Sequence, residues 1–183
     1  AHNGWKPKLV PGYTQDDIKP ESYRLLENSY LSIYADPRTK IACLKNHIRF
    51  WQFVVDTGKT CCFAESDAFC LSAPPATTSF SSDILYLAAH HKYPFKKFFK
   101  WVRAFKDMPA GVHMHYSYQL VYPNANVYHR AIMLPNTIAY VITPLGAEKL
   151  LAAIAEHGLE QSDAMINTHN VSISVISPPP VSH

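Results

Sequence analysis

The chain has 183 residues, 48% hydrophobic and 17% charged, with a formal net charge of +3. That length suits one domain with a real core, and that balance excludes an intrinsically disordered chain. No run of 18 apolar residues is present, which excludes a spanning helix, and the opening Ala1-His2-Asn3-Gly4-Trp5-Lys6-Pro7 has no apolar core of a signal peptide.

Residues 1–35 read as irregular, with Pro7, Pro11 and Pro20 and a short strand at Lys8-Leu9-Val10. Asp36-Pro37 reads as a helix start, a side-chain cap followed by proline at the first helical position. The helix runs to about Asp56 and ends at Gly58, with Ile41, Leu44, Ile48, Trp51 and Val55 at helical spacing. Residues 60–70 form a buried strand, followed by a Pro/Thr/Ser-rich loop at 72–82. Ile84-Leu85-Tyr86-Leu87-Ala88 is a second buried strand. Residues 94–107 look helical, 111–135 alternate like strand, and Ile138-Ala139-Tyr140-Val141-Ile142 is a further strand. A helix from Thr143-Pro144 ends at Gly158, and Val171 to Ile176 is the last strand, broken by Pro178-Pro179-Pro180. Strands alternating with helices predict an α/β fold with a mostly parallel central sheet and helices on both faces. The reading is one domain over 1–183, with an irregular segment at 1–35, an α/β core at 36–177 and a tail at 178–183.

Four cysteines are present, Cys43, Cys61, Cys62 and Cys70. Neighbouring strand residues point to opposite faces, so Cys61 and Cys62 make a poor disulfide. Buried free thiols in a reducing, cytoplasmic compartment are expected. Asn170-Val171-Ser172 is a glycosylation sequon with little weight in the absence of a secretion signal.

The most informative triplet is Glu65-Ser66-Asp67, at the end of the apolar run Thr60-Cys61-Cys62-Phe63-Ala64. Open α/β sheets bind ligands at the carboxyl ends of strands. Two carboxylates separated by one residue can share a hard divalent cation, which can in turn hold a pyrophosphate. The competing reading is a solvated acidic turn.

The second unusual segment is 92–107, with six basic residues and one acid, a local charge of +5. On a helix, Phe95, Phe98, Phe99, Val102 and Phe105 form the buried face and Lys96, Lys97, Lys100 and Arg103 lie mostly outward. That is either an ordinary solvated basic face or a surface for an anionic acceptor, nucleic acid or a membrane glycolipid. His90-His91 and His113-Met114-His115 add polar groups. His113 and His115 share a strand face, a spacing that can bind metal but lacks a third partner.

The helix block with Cys43, His47 and Trp51, then Glu65-Ser66-Asp67-Ala68, Asp83 to Leu87, Thr137 to Leu151 and Gln161-Ser162-Asp163, in that order, resemble glycosyltransferase family 25, enzymes that add galactose or related sugars to lipopolysaccharide and to collagen hydroxylysine. Cys43, His47 and Trp51 match the family pattern Gly-Cys-x-x-Ser-His-x-x-x-Trp, with Ala42 for glycine and Asn46 for serine. Glu65-Ser66-Asp67-Ala68 stands for the family's Glu-Asp-Asp-Ala, with Ser66 in the middle place. Asp83-Ile84-Leu85-Tyr86-Leu87 is similar to the next strand. Thr137 to Thr143, followed by Gly146-Ala147-Glu148-Lys149-Leu150-Leu151, is similar to the strand before Gly-Ala-x-Lys-Leu-Leu. Gln161-Ser162-Asp163 sits at Pro-Val-Asp. The blocks keep their order over about residues 41–163.

The resemblance implies a GT-A (Rossmann-like) domain that moves a sugar from a nucleoside-diphosphate sugar, a UDP-sugar first, to an acceptor hydroxyl, with inversion. Mn²⁺ or Mg²⁺ would be held by Asp67, with Glu65 as second ligand and His183 as a further one unless it is merely exposed. Asp163 is the general base or else the cap of a short helix at Ala164-Met165. His47 contacts the donor or is a hydrogen-bonded structural histidine. Lys45, Asn46 and Ser66 are further donor-side candidates, and Lys40 and Arg49 meet phosphates or solvent. The basic segment makes a modified DNA base a tenable acceptor, as in viruses that sugar-coat their genomes, beside saccharide or glycolipid. The family's opening strand and its arginine-bearing loop have no counterpart before Lys8. The expectations that follow are a minimal member, a strand supplied by another segment, or a non-catalytic binding module that has lost donor binding.

Overall fold

The computed structural model describes residues 4–73, 80–88, 110–114, 126–128, 131, 133–134 and 137–182. The predicted helix at 94–107, the basic residues Lys96, Lys97, Lys100 and Arg103, the histidines His90, His91 and His115, and His183 lie outside them. Among the described residues no helix is long and apolar enough to cross a membrane.

Helix α1, Arg38–Thr57, begins where Asp36 Oδ1 accepts the backbone N–H of Arg38 at 3.0 Å. The Arg38 side chain holds the Asp36 carboxyl at about 2. Gly58 ends the helix at φ 64°, the left-handed conformation that favours glycine. Its buried stripe is Ile41, Ala42, Leu44, His47, Trp51 and Val54. Relative to the predicted stripe, Ile48 and Val55 are only half-buried, because the polar His47 takes the inward place.

Five strands form the main sheet: β1 Cys61–Ala64, β3 Ile84–Tyr86, β4 Gly111–Met114, β5 Ala139–Ile142 and β6 Ile173–Ser177, in the order β1-β5-β3-β6-β4. Short β2 (Phe69–Cys70) and β7 (Val181–Ser182) pair separately. The expected mostly parallel sheet is not what forms. Among the described residues of this sheet only β3 with β6 is parallel, whereas β1–β5, β3–β5 and β4–β6 are antiparallel. β5 inserts between β1 and β3 and runs against both, and a hydrophobic pattern carries no record of strand direction. The fold is α/β with a mixed sheet.

Two further expectations fail. Lys8-Leu9-Val10 forms no strand, and Leu9 is 91% exposed, so its apolar side chain is not packed on the core. The single buried strand at 60–70 is two short pieces with a turn between them. β1, an edge strand paired on one side among the described residues, alternates half-buried and exposed residues because only the Cys61 and Phe63 face meets the core. By contrast β3, in the centre, is buried throughout.

The register sets Tyr140 of β5 opposite both Phe63 and Tyr86. One sheet face (Ile84, Tyr86, Tyr140, Ile142, Ile173, Val175) packs with the buried stripe of α1 and with helix α2, Pro144–His157. The other face buries Leu85 and Ala139 with Leu87, Ile138 and Val181. α2 starts as expected, Thr143 Oγ1 accepting from the Gly146 N–H at 3.1 Å with Pro144 in the first turn.

Asp83 locks α2 to the sheet. Its Oδ2 accepts from Lys149 Nζ, the Ser172 N–H and the Ser172 hydroxyl, each at 2.8 Å. Burial alone would raise the carboxyl, but the Lys149 ammonium and the two Ser172 donors outweigh it and hold it below its ordinary value. A carboxyl lowered in the folded state stabilises fully above its unfolded pKa, about 3.9, and the contribution fades as pH falls through the folded value. The melting temperature of Asp83→Asn therefore falls furthest below the parent's near neutral pH, and the gap narrows below about pH 4. A gap that stays constant between pH 3 and pH 7 would contradict this.

Candidate active site

The site forms where α1, the end of β1, the start of β5 and helix α3 (Ser162–Met165) meet. Cys43, His47 and Trp51 are four residues apart, so one stripe of α1 presents all three. Trp51 and His47 are fully buried and Cys43 is half-buried. The common partner of His47 and Trp51 is Tyr140, also fully buried. Its hydroxyl accepts from Trp51 Nε1 at 2.9 Å and lies 2.8 Å from His47 Nδ1. Phe63 packs on the His47 ring, with centroids 4.2 Å apart.

On the other side of the imidazole, Nε2 is 3.2 Å from Thr137 Oγ1 and 3.7 Å from Glu65 Oε1. Thr137 joins this cluster to α3. Its N–H donates to Asp163 Oδ1 at 3.1 Å, and its hydroxyl lies 3.2 Å from the same oxygen and 3.3 Å from Ser162 Oγ. The N-cap of α3 is Gln161 and Asp163 stands in its first turn, so the capping alternative for Asp163 does not describe its place.

Burial, with the nearby Glu65 charge, pushes the Cys43 thiol up, so it sits as S–H with Glu65 Oε1 at 3.9 Å and Ser162 Oγ at 3.8 Å. Burial pushes the Tyr140 hydroxyl well up. Burial and the Asp163 charge do the same to Tyr86, whose hydroxyl is buried with no hydrogen-bond partner among the described residues.

The structure thus brings Glu65, His47 and Asp163 together, through Thr137. Ser66 and Asp67 are exposed in the turn just outside, closed by the Ala68 N–H on the Glu65 carbonyl at 3.2 Å. Lys45 and Asn46 contact the N-terminal segment. Asn46 Oδ1 accepts the Tyr13 N–H and its Nδ2 donates to the Tyr13 carbonyl. Lys45 bonds the Tyr23 hydroxyl at 3.0 Å and lies over the Tyr13 ring, 4.5 Å from its centroid. Both tie the N-terminal segment to α1. Arg49 does likewise through the Pro11 carbonyl. Thr137, Tyr140 and Ser162 are the members that the sequence did not single out. Only the four-residue spacing of Cys43, His47 and Trp51 hinted at a shared partner.

Among the described residues, one cluster and one turn gather groups of the kind that ligate cations. Cys43 Sγ, His47 Nε2 and Glu65 Oε1 lie within 4.8 Å of one another. One carboxylate beside a thiol and an imidazole is not the oxygen set that Mn²⁺ or Mg²⁺ takes, so this inner cluster does not fit a hard cation. The turn outside it, with Glu65, Ser66 and Asp67, carries only oxygen donors, the donor type that a hard cation takes.

A family model, Glycosyltransferase family 25 (LPS biosynthesis protein), matches residues 17–166, a span that contains every residue of this cluster. The chain belongs to glycosyltransferase family 25. It is therefore a glycosyltransferase, and a sugar donor and an acceptor are its substrates. No curated protein and no solved structure matches the chain. The family-25 span runs from the first turns of the N-terminal segment through α3, so the strap held by Lys45 and Asn46 lies partly outside it.

Proposed function

We propose that this chain transfers a sugar from a nucleoside-diphosphate sugar, a UDP-sugar first, to an acceptor hydroxyl, as one domain of GT-A type spanning 1–183. One observation carries the reading. Residues far apart in sequence, Glu65 at the end of β1 and Asp163 in α3, meet around Thr137 and His47 at one end of the sheet. That end carries one carboxylate beside an oxygen-rich turn and a second carboxylate on the adjoining helix.

In this reading Asp163 is the general base that takes the acceptor hydroxyl's proton as the oxygen attacks the anomeric carbon. A single base on one side of the sugar gives direct displacement and inversion. Glu65 and Asp67 would hold Mn²⁺ or Mg²⁺, which when bound neutralises charge on the departing diphosphate. His47, fully buried, acts from behind this surface. The basic segment with Lys96, Lys97, Lys100 and Arg103 is assigned to an anionic acceptor, DNA carrying a hydroxylated base ahead of a glycolipid. DNA affinity indifferent to salt would remove that assignment.

The test is a thermal-shift series with nucleoside diphosphates and their sugars, with and without Mn²⁺. A ligand that binds only the folded chain raises its melting temperature, by about 2.7 kcal/mol of stabilisation at a hundred times Kd. The expected result is a shift with one nucleotide that needs the metal. A cooperative melt unmoved by every nucleotide would overturn the donor-binding reading and leave a binding module.

A further inference from the structure

We infer that Thr137, backed by His47, Tyr140 and Trp51, is the positioning residue for the Asp163 carboxylate, at the end of a one-way chain of hydrogen bonds that starts in the core. The inference rests on the reading of Asp163 as the base.

Proton counting fixes the direction. An indole N–H can only donate, so Tyr140 accepts at its oxygen from Trp51 Nε1 at 2.9 Å. Tyr140 then has one proton left to place, and its nearest partner is His47 Nδ1 at 2.8 Å. Were Nδ1 to donate instead, a fully buried tyrosine O–H would point at no acceptor among the described residues, a costly arrangement. Tyr140 therefore donates to Nδ1, and the ring proton sits on Nε2.

Nε2–H faces Thr137 Oγ1 at 3.2 Å, with Glu65 Oε1 beyond hydrogen-bond range at 3.7 Å. Having accepted from His47, Thr137 gives its own proton onward. Two acceptors are in reach, Asp163 Oδ1 at 3.2 Å and Ser162 Oγ at 3.3 Å, and the carboxylate is the stronger. The Thr137 N–H reaches the same Oδ1 at 3.1 Å. One residue thus supplies two donors to one oxygen of the base. Bonds in such a chain polarise one another, and a base held to a fixed position gains in rate what a wandering one loses.

The experiment compares Thr137→Val, Thr137→Ser and Asp163→Asn in steady-state transfer, beside the ¹⁵N shifts of the His47 ring in the parent. Valine keeps the shape and the backbone N–H and loses only the hydroxyl. The expected result is a drop in kcat of about tenfold or more for Thr137→Val, with KM for the donor unchanged. Thr137→Ser recovers most of the rate, and the ring shifts report a protonated Nε2 and a bare Nδ1. A parent-like kcat in Thr137→Val, with Asp163→Asn inactive, would overturn the positioning role and leave the base reading intact. Parent-like transfer by Asp163→Asn would overturn both. Loss in the valine variant that serine does not rescue would reduce Thr137 to a packing residue. The opposite ring tautomer would reverse the chain and overturn the inference even if the valine variant fails to fold.

Discussion

Asp163→Asn lowers the rate of sugar transfer by about two to four orders of magnitude, the usual worth of a positioned general base. The substitution keeps the shape of the side chain and its acceptor oxygen, so the two donors from Thr137 retain a partner. What the amide loses is the ability to take a proton. Folding and donor binding should therefore survive, and the loss should fall on kcat with KM for the donor little changed. Steady-state kinetics with a thermal melt of the same preparation checks both halves. A variant that turns over within a few-fold of the parent would remove Asp163 from the chemistry. A variant that fails to melt cooperatively would show instead that the carboxylate holds α3 in place.

Gly146→Ala destabilises the fold by about 2–3 kcal/mol through overpacking. A Cβ at this position would lie 2.8 Å from the Asp83 carbonyl oxygen and 2.9 Å from the Asp83 Cβ, closer than real Cβ contacts come. Neither atom is the end of a flexible side chain, so the strain falls on the backbone where β3 begins. The same carbonyl already accepts the Thr143 N–H at 3.0 Å, and the Gly146 N–H is committed to Thr143 Oγ1 at 3.1 Å. The helix cannot back away without breaking its own cap. For a chain of this length that energy corresponds to a fall in melting temperature of about 5–10 °C. Glu148→Ala, two residues on and exposed, should leave it unchanged and serves as the control. Equal melting temperatures for Gly146→Ala and the parent would show that Asp83 and α2 can separate freely.

This contact also gives a physical reason for the Gly-Ala-x-Lys block in the sequence. Gly146 lets α2 approach Asp83, and Lys149, one turn later, returns to bond its carboxylate. Glycine and lysine three residues apart were readable as a pattern, but their shared partner, 66 residues away from Lys149, was not. The same divide runs through the active site. The spacing of Cys43, His47 and Trp51 announces one helical face, and helical periodicity finds α1 and α2 within a residue or two. That Tyr140 stands opposite that face depends on β5 lying between β1 and β3 and running against both, which no local pattern encodes. His47 stood as a donor contact or a structural histidine because a polar residue on an apolar stripe reads either way. Its burial is explained only once Tyr140 and Thr137 are seen to satisfy both ring nitrogens. Conversely the expected strand at 60–70 failed because apolar content alone does not separate an edge strand, half-covered, from a central one.

The most direct measurement is release of nucleoside diphosphate from UDP-sugars by the parent chain and by Asp67→Ala, with Mn²⁺ and with a chelator. The site described here predicts release that needs the metal and falls about a hundredfold or more in Asp67→Ala, a loss of the several kcal/mol that a bound cation supplies. Release that is equal in the two chains, or unaffected by the chelator, would contradict a metal-assisted donor site at the Glu65–Asp67 turn.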